Sequence, residues 1–174
     1  VKAYKWPIYF IISVSFWNLV GAGLFGFLIN PPIALYYMQG LNTTPLHGHA
    51  ALFGVFGMLA IGLMLFVLKG LTIKYHWKTR MLSIAFWTMN GGLMLMLLLS
   101  LLPVGVLQTV ASIKVGMWYA RSADFMQGDT METLRWMRII GDTIFAVGSV
   151  ALALFVVGLK TGWSIDKTQK LYQD

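Results

Sequence analysis

His47 and His49 stand two residues apart in NTTPLHGHAALFGVFG, residues 42–57, where a long uncharged run begins. An imidazole in apolar surroundings either hydrogen-bonds to a neighbouring helix or gives a ring nitrogen to a metal. On a helix each residue advances about 100°, so the two rings point about 200° apart. Chelation of one ion by a helix uses spacings of three or four, as in H-E-x-x-H. The pair is therefore unsuited to one shared ion but suited to two cofactors on opposite sides. Haem iron takes only one or two protein imidazoles, so two haems flanking one helix satisfy the spacing. The plainer reading is that both rings only hydrogen-bond across helices or reach headgroup water.

The stripes below the two histidines differ. Ala50, Gly54 and Gly57 make a small-residue stripe below His47, with room for a flat macrocycle or a close helix. Leu52, Phe53 and Phe56 make an apolar, aromatic wall below His49. A second constellation is Arg135, Arg138 and Asp142, at i, i+3 and i+7 on one helical stripe. An i,i+4 ion pair of Arg138 with Asp142 is one reading of it.

The elements that carry these residues are set by composition. Of 174 residues, 58% are hydrophobic and 11% charged, with a mean hydropathy of +0.73; soluble domains carry about a quarter charged residues. Four runs reach the roughly 20 apolar residues a bilayer-crossing helix needs: 8–30, 46–68, 81–102 and 139–159. The fold class is all-α integral membrane, with four spans and an outer-face helical extension after the third. Asp142 is the only acidic residue inside those spans. Thr44 and Pro45 read as cap and first turn of span two, Pro103 as a kink or stop of span three, and Gly162 as the stop of span four. Asp129, with Glu132 three residues on, reads as a loose capping box. Ala22 and Gly26 are spaced for close helix packing.

Charge gives an orientation and excludes a partner class. The net charge of +7 is not a nucleic-acid patch, because the basic residues cluster at span ends. Lys2, Lys5, Lys69, Lys74, Lys78, Arg80, Lys160, Lys167 and Lys170 fall on one side; Lys114, Arg121, Arg135 and Arg138 fall on the other. The positive-inside tendency makes both termini and the Lys69–Arg80 loop cytoplasmic, with the histidines at the outer face. Cysteine is absent, so the chain offers no disulfide, thiolate site, iron–sulfur ligand or C-x-x-C-H haem attachment. No signal-peptide pattern precedes the first span. With no initiator Met and a span starting almost at once, the chain is expected to begin inside a longer sequence.

FWNLVGAGLFGFLINPPIALYYMQGLNTTPLHGHAALFGVFGMLAIGLMLF resembles the catalytic subunit of bacterial nitric oxide reductases, above all the single-chain quinol-dependent form, in the haem–copper oxidase superfamily. LPVGVLQTVASIKVGMWYARSADFM and LRWMRIIGDTIFAVG look like that family's C-terminal part. The resemblance implies about twelve core helices, of which this chain is the C-terminal third or quarter, inactive alone. It implies reduction of two NO to N2O and water, with electrons passing from quinol through haem b to a haem b3–non-haem iron centre in the bacterial inner membrane. His47 would ligate haem b3 and His49 haem b. Arg135 and Arg138 would anchor haem propionates and Asp142 would contact quinol. The non-haem iron ligands and the second haem b ligand are expected outside this segment, since the third histidine, His76, lies in the cytoplasmic KYHWKTR loop. The resemblance leaves monomer and homodimer open. A non-catalytic cytochrome b anchor is the alternative, weakened because both membrane histidines share one span; a structural or transport subunit would hold no haem.

Overall fold

A computed structural model describes residues 2–170, with side chains placed for 3–166. Four helices are long and apolar enough to cross a membrane: α1 (Lys5–Ile29), α3 (Thr43–Leu71), α4 (Arg80–Lys114) and α6 (Asp129–Thr161). A short α2 (Pro32–Met38) lies between the first two, and a four-residue α5 (Ala123–Met126) precedes α6. The all-α membrane reading is thus shown, with each span running beyond the hydropathy boundaries at one or both ends.

Two packed pairs make the bundle. α1 lies on α3, where Gly21 meets Ala50, Gly54 meets Trp17 and Gly62 meets Ile11. α4 lies on α6 through Gly92 and Gly148, whose missing side chains admit the Phe145 backbone and Met89. Small residues let helices approach where lipid gives no hydrophobic drive for association. The pairs join through Phe10 against Phe86 at 5.3 Å, Phe53 against Phe145 at 4.6 Å, and the Trp17 indole donating to Asn90 Oδ1 at 2.8 Å. Trp17, Phe10, Leu65, Leu82, Leu93 and Phe155 are fully buried between them.

Wide π-helical turns interrupt three spans, at Asn18–Phe25, His49–Gly57 and Leu97–Leu101, and each corrects an expectation built on a regular helix. On α1 the residues facing α3 are Gly21 and Gly26, five apart, and not the pair Ala22 and Gly26. On α3 the buried stripe runs Ala50, Gly54, Met58, Gly62 and Leu65. Gly57 is rotated off it and lies beside the Phe53 ring of its own helix. On α4 the wide turn falls just before Pro103, where the proline ring would otherwise clash with the carbonyl four residues back. The helix therefore continues through Pro103 to Lys114 and is not ended by it.

The ends hold further corrections. α3 starts at Thr43 with no side-chain cap, so Thr44 is not the cap. Gly128 is the residue before α6 and Asp129 its first turn, without the capping bond. Gly162 does stop α6, at φ +88°, and its N–H closes on the Gly158 carbonyl at 2.9 Å. The Lys69–Arg80 segment is not merely a loop. Tyr75–Trp77 (β1) pairs antiparallel with Ile165–Lys170 (β2). The partner strand lies about ninety residues away, so local spacing carried no signal for it.

Candidate functional site

His47 and His49 lie in the first turns of α3 and face different helices. The His47 ring packs on Gly26 of α1, and its Nδ1 is 2.8 Å from the Gly21 carbonyl. His49 Nδ1 is 2.8 Å from the carbonyl of Pro45, one turn back on its own helix. Its Nε2 is 3.0 Å from Arg138 Nη2 at the start of the transmembrane part of α6. A carbonyl only accepts and a guanidinium only donates. His49 is therefore the neutral tautomer with the proton on Nδ1 and the lone pair on Nε2. The Gly21 carbonyl likewise places a proton on His47 Nδ1. Anchoring one ring nitrogen to a carbonyl is how ligating histidines are oriented and made more basic at the other.

The surroundings of the two rings are unequal. Below His47 the small-residue face is filled by α1: Ala50 touches Gly21, and Gly54 is covered by Trp17. The stripe is thus a close-helix seam and no macrocycle lies along it. Beside His49, an open-sided hollow of about 500 Å³ is lined by Thr44, Pro45, Gly48, His49, Leu52 and Phe53. Its walls are almost wholly apolar, and Leu52 remains 67% exposed within this chain. A flat apolar cofactor fits that side, provided the Arg138 guanidinium leaves Nε2.

Arg135, Arg138 and Asp142 share a second hollow of about 390 Å³ with Glu132, Trp136 and Ile139. Arg138 Nε donates to Asp142 at 3.2–3.3 Å, so the i,i+4 ion pair is present. Both partners are substantially exposed, which limits such a pair to about 1 kcal/mol or less. Arg135 instead donates to the Met126 carbonyl at 3.3 Å. Arg138 therefore bridges Asp142 to His49, joining the two constellations. Its contact with His49 spans 89 residues and no spacing pattern indicated it.

The sequence also left Gln108 unassigned. It is 4% exposed, accepts from the Asn42 backbone N–H at 2.9 Å and side-chain amide at 2.8 Å, and donates to the Ala120 carbonyl at 3.1 Å. These bonds fix the residue from which the histidine helix starts. Nearby, the apolar Val106, Val110 and Ile113 face outward while Gln108 and Ser112 are buried. In apolar surroundings the polar face turns inward, because buried polar groups need partners. Among the described residues no group of three or more His, Cys, Asp or Glu side chains can hold a metal ion. A non-haem iron site therefore does not fit within them, whereas the hollow beside His49 has room for single axial ligation at its Nε2 once Arg138 leaves it.

Comparison with known proteins places these features. A nitric oxide reductase subunit of Stutzerimonas stutzeri is 27% identical over 150 residues, covering 80% of this chain and 30% of that protein's length. The chain therefore spans less than a third of the relative it matches. The family model for cytochrome c and quinol oxidase polypeptide I matches residues 1–144. With that match over most of its length, on a four-span bundle whose two membrane histidines each tie Nδ1 to a backbone carbonyl, the chain belongs to the cytochrome c and quinol oxidase polypeptide I family of haem-bearing membrane oxidoreductases.

Proposed function

We propose that this chain is the haem-ligating C-terminal segment of a nitric oxide reductase, in which two NO, two electrons and two protons give N2O and water. One observation carries the reading: His47 and His49 each tie Nδ1 to a backbone carbonyl while facing different helices. Two separately oriented Nε2 lone pairs suit two cofactors. His47 is assigned to haem b3 and His49 to haem b. When bound, the haems supply electron storage and the iron chemistry.

The chain's own residues supply orientation, charge and a proton acceptor. Gly21 and Pro45 hold the imidazoles through their carbonyls. Arg135 and Arg138 line the second hollow, which Arg138 joins to His49, and are suited to pairing with propionate carboxylates. Asp142 stands in the same hollow as the candidate acceptor of a quinol proton, paired with Arg138. The non-haem iron ligands and the second haem b ligand belong to the rest of the same core subunit. The proposed setting is the bacterial cytoplasmic membrane, with the Lys69 end cytoplasmic. Quinol is the proposed donor, since Asp142 stands in the charged hollow that Arg138 joins to His49.

Asp142→Asn in the complete enzyme tests the quinol assignment. It keeps the side-chain size and removes the charge. The expected result is a loss of roughly a hundredfold or more in quinol-driven NO consumption, with turnover from an artificial donor and haem content unchanged. An unchanged ratio of the two activities would leave Asp142 as an ion-pair partner of Arg138 only.

A further inference from the structure

The other end of the bundle holds a buried cation with no carboxylate partner among the described residues. Lys69 is 2% exposed. Its ammonium donates to the Tyr75 carbonyl at 2.6 Å and lies 5.1 Å from the centre of the Trp77 ring. An ammonium has three donors, and burying it unpaired is costly. Among the described residues no ion pair involves Lys69.

Lys69 walls a cavity of about 180 Å³ together with Lys5, His76 and Thr79, between Trp6 and Trp77. Among the described residues no carboxylate lines it. Lys5 Nζ is held against the Trp6 and Tyr9 rings at 5.5 and 5.4 Å. Two ammoniums, each resting on aromatic faces, thus border one small hollow that also offers a hydroxyl and an imidazole. At roughly 30 Å³ per water, it has room for one tetrahedral anion with part of its hydration.

We propose that this cavity binds a phosphate group. The phosphate would supply the missing counter-charge, accepting from Lys69 and Thr79 with Lys5 at the rim. Lys69 lies about twenty residues along α3 from His49, or about 30 Å, one hydrocarbon thickness from the histidine face. That is headgroup depth, and Trp6 and Trp77 suit it. A phospholipid headgroup is one source of the phosphate and free inorganic phosphate the other.

The test is native mass spectrometry of the full-length protein in detergent, titrated with phosphatidylglycerol, phosphatidylcholine and inorganic phosphate. Phosphatidylglycerol is expected to bind in preference to phosphatidylcholine, and Lys69→Met to weaken that binding about tenfold or more. Failure of excess inorganic phosphate to compete assigns the site to the headgroup. Competition by inorganic phosphate for the Lys69-dependent binding assigns it to the free anion. Equal binding of both phosphate probes to wild type and Lys69→Met would overturn the proposal. If Lys69→Met does not fold, the exposed Lys5→Gln decides: a loss of about fivefold is expected, and no loss would overturn it.

Discussion

Gly54→Ala is a one-methyl perturbation whose consequences can be worked through. An added Cβ at Gly54 would lie 2.5 Å from Trp17 Cγ and 2.7 Å from its Cβ and Cδ2. Trp17 is 1% exposed, so its indole has no free space to enter. Overpacking of this kind costs about 1–3 kcal/mol. Displacing the indole also stretches the 2.8 Å bond to Asn90, worth about 1 kcal/mol. The better helix propensity of alanine returns up to about 1 kcal/mol. The balance is about 1–3 kcal/mol of destabilisation, a drop of roughly 2–10 °C in unfolding temperature. Thermal unfolding of the detergent-solubilised full-length protein reads it, with Gly70→Ala, which has nothing within 4 Å of an added Cβ, as the control. Since α1 also carries the Gly21 carbonyl that orients His47, the spectrum of the haem proposed on His47 should shift and that of the haem proposed on His49 should not. Equal melting temperatures for the two variants would refute the close seam between α1 and α3.

Gln108→Leu removes the acceptor of two part-buried Asn42 donors and leaves the buried Ala120 carbonyl without its donor; about 2–4 kcal/mol of destabilisation is expected, whereas Thr109→Val, which only loses a bond within its own helix turn, should cost under about 1 kcal/mol. Denaturation midpoints check both. A reporter fused after Lys78 should read cytoplasmic and one near Gln127 exported, as the charge asymmetry requires; the opposite result would place the histidines at the inner face.

Much of this arrangement was legible because bilayer solvation is a strong constraint. Apolar length marked the four spans, Gly162 marked a stop, and two-residue spacing put His47 and His49 on opposite sides of a helix. Legibility failed where the chain departs from 3.6 residues per turn. The wide turn that begins at His49 rotates Gly57 out of the stripe, and the one at Asn18–Phe25 replaces Ala22 by Gly21 as the close contact. Such turns have no residue signature, since their hydrogen bonds are chosen by packing. It failed again where contacts join distant segments. Arg138 to His49, Gln108 to Asn42 and β1 to β2 span tens of residues, and local pattern carries no information about partners that far apart.

The central claim is that His47 and His49 serve different cofactors, and single substitutions in the complete enzyme measure it most directly. Reduced-minus-oxidised optical spectra with haem extraction are recorded for His47→Ala and His49→Ala. With His47 assigned to haem b3 and His49 to haem b as proposed, the opposite-facing rings predict loss of the low-spin haem signal in His49→Ala with the high-spin signal kept, and a disturbed high-spin signal in His47→Ala with the low-spin signal kept. The same spectral loss in both variants, with one haem remaining in each, would contradict it.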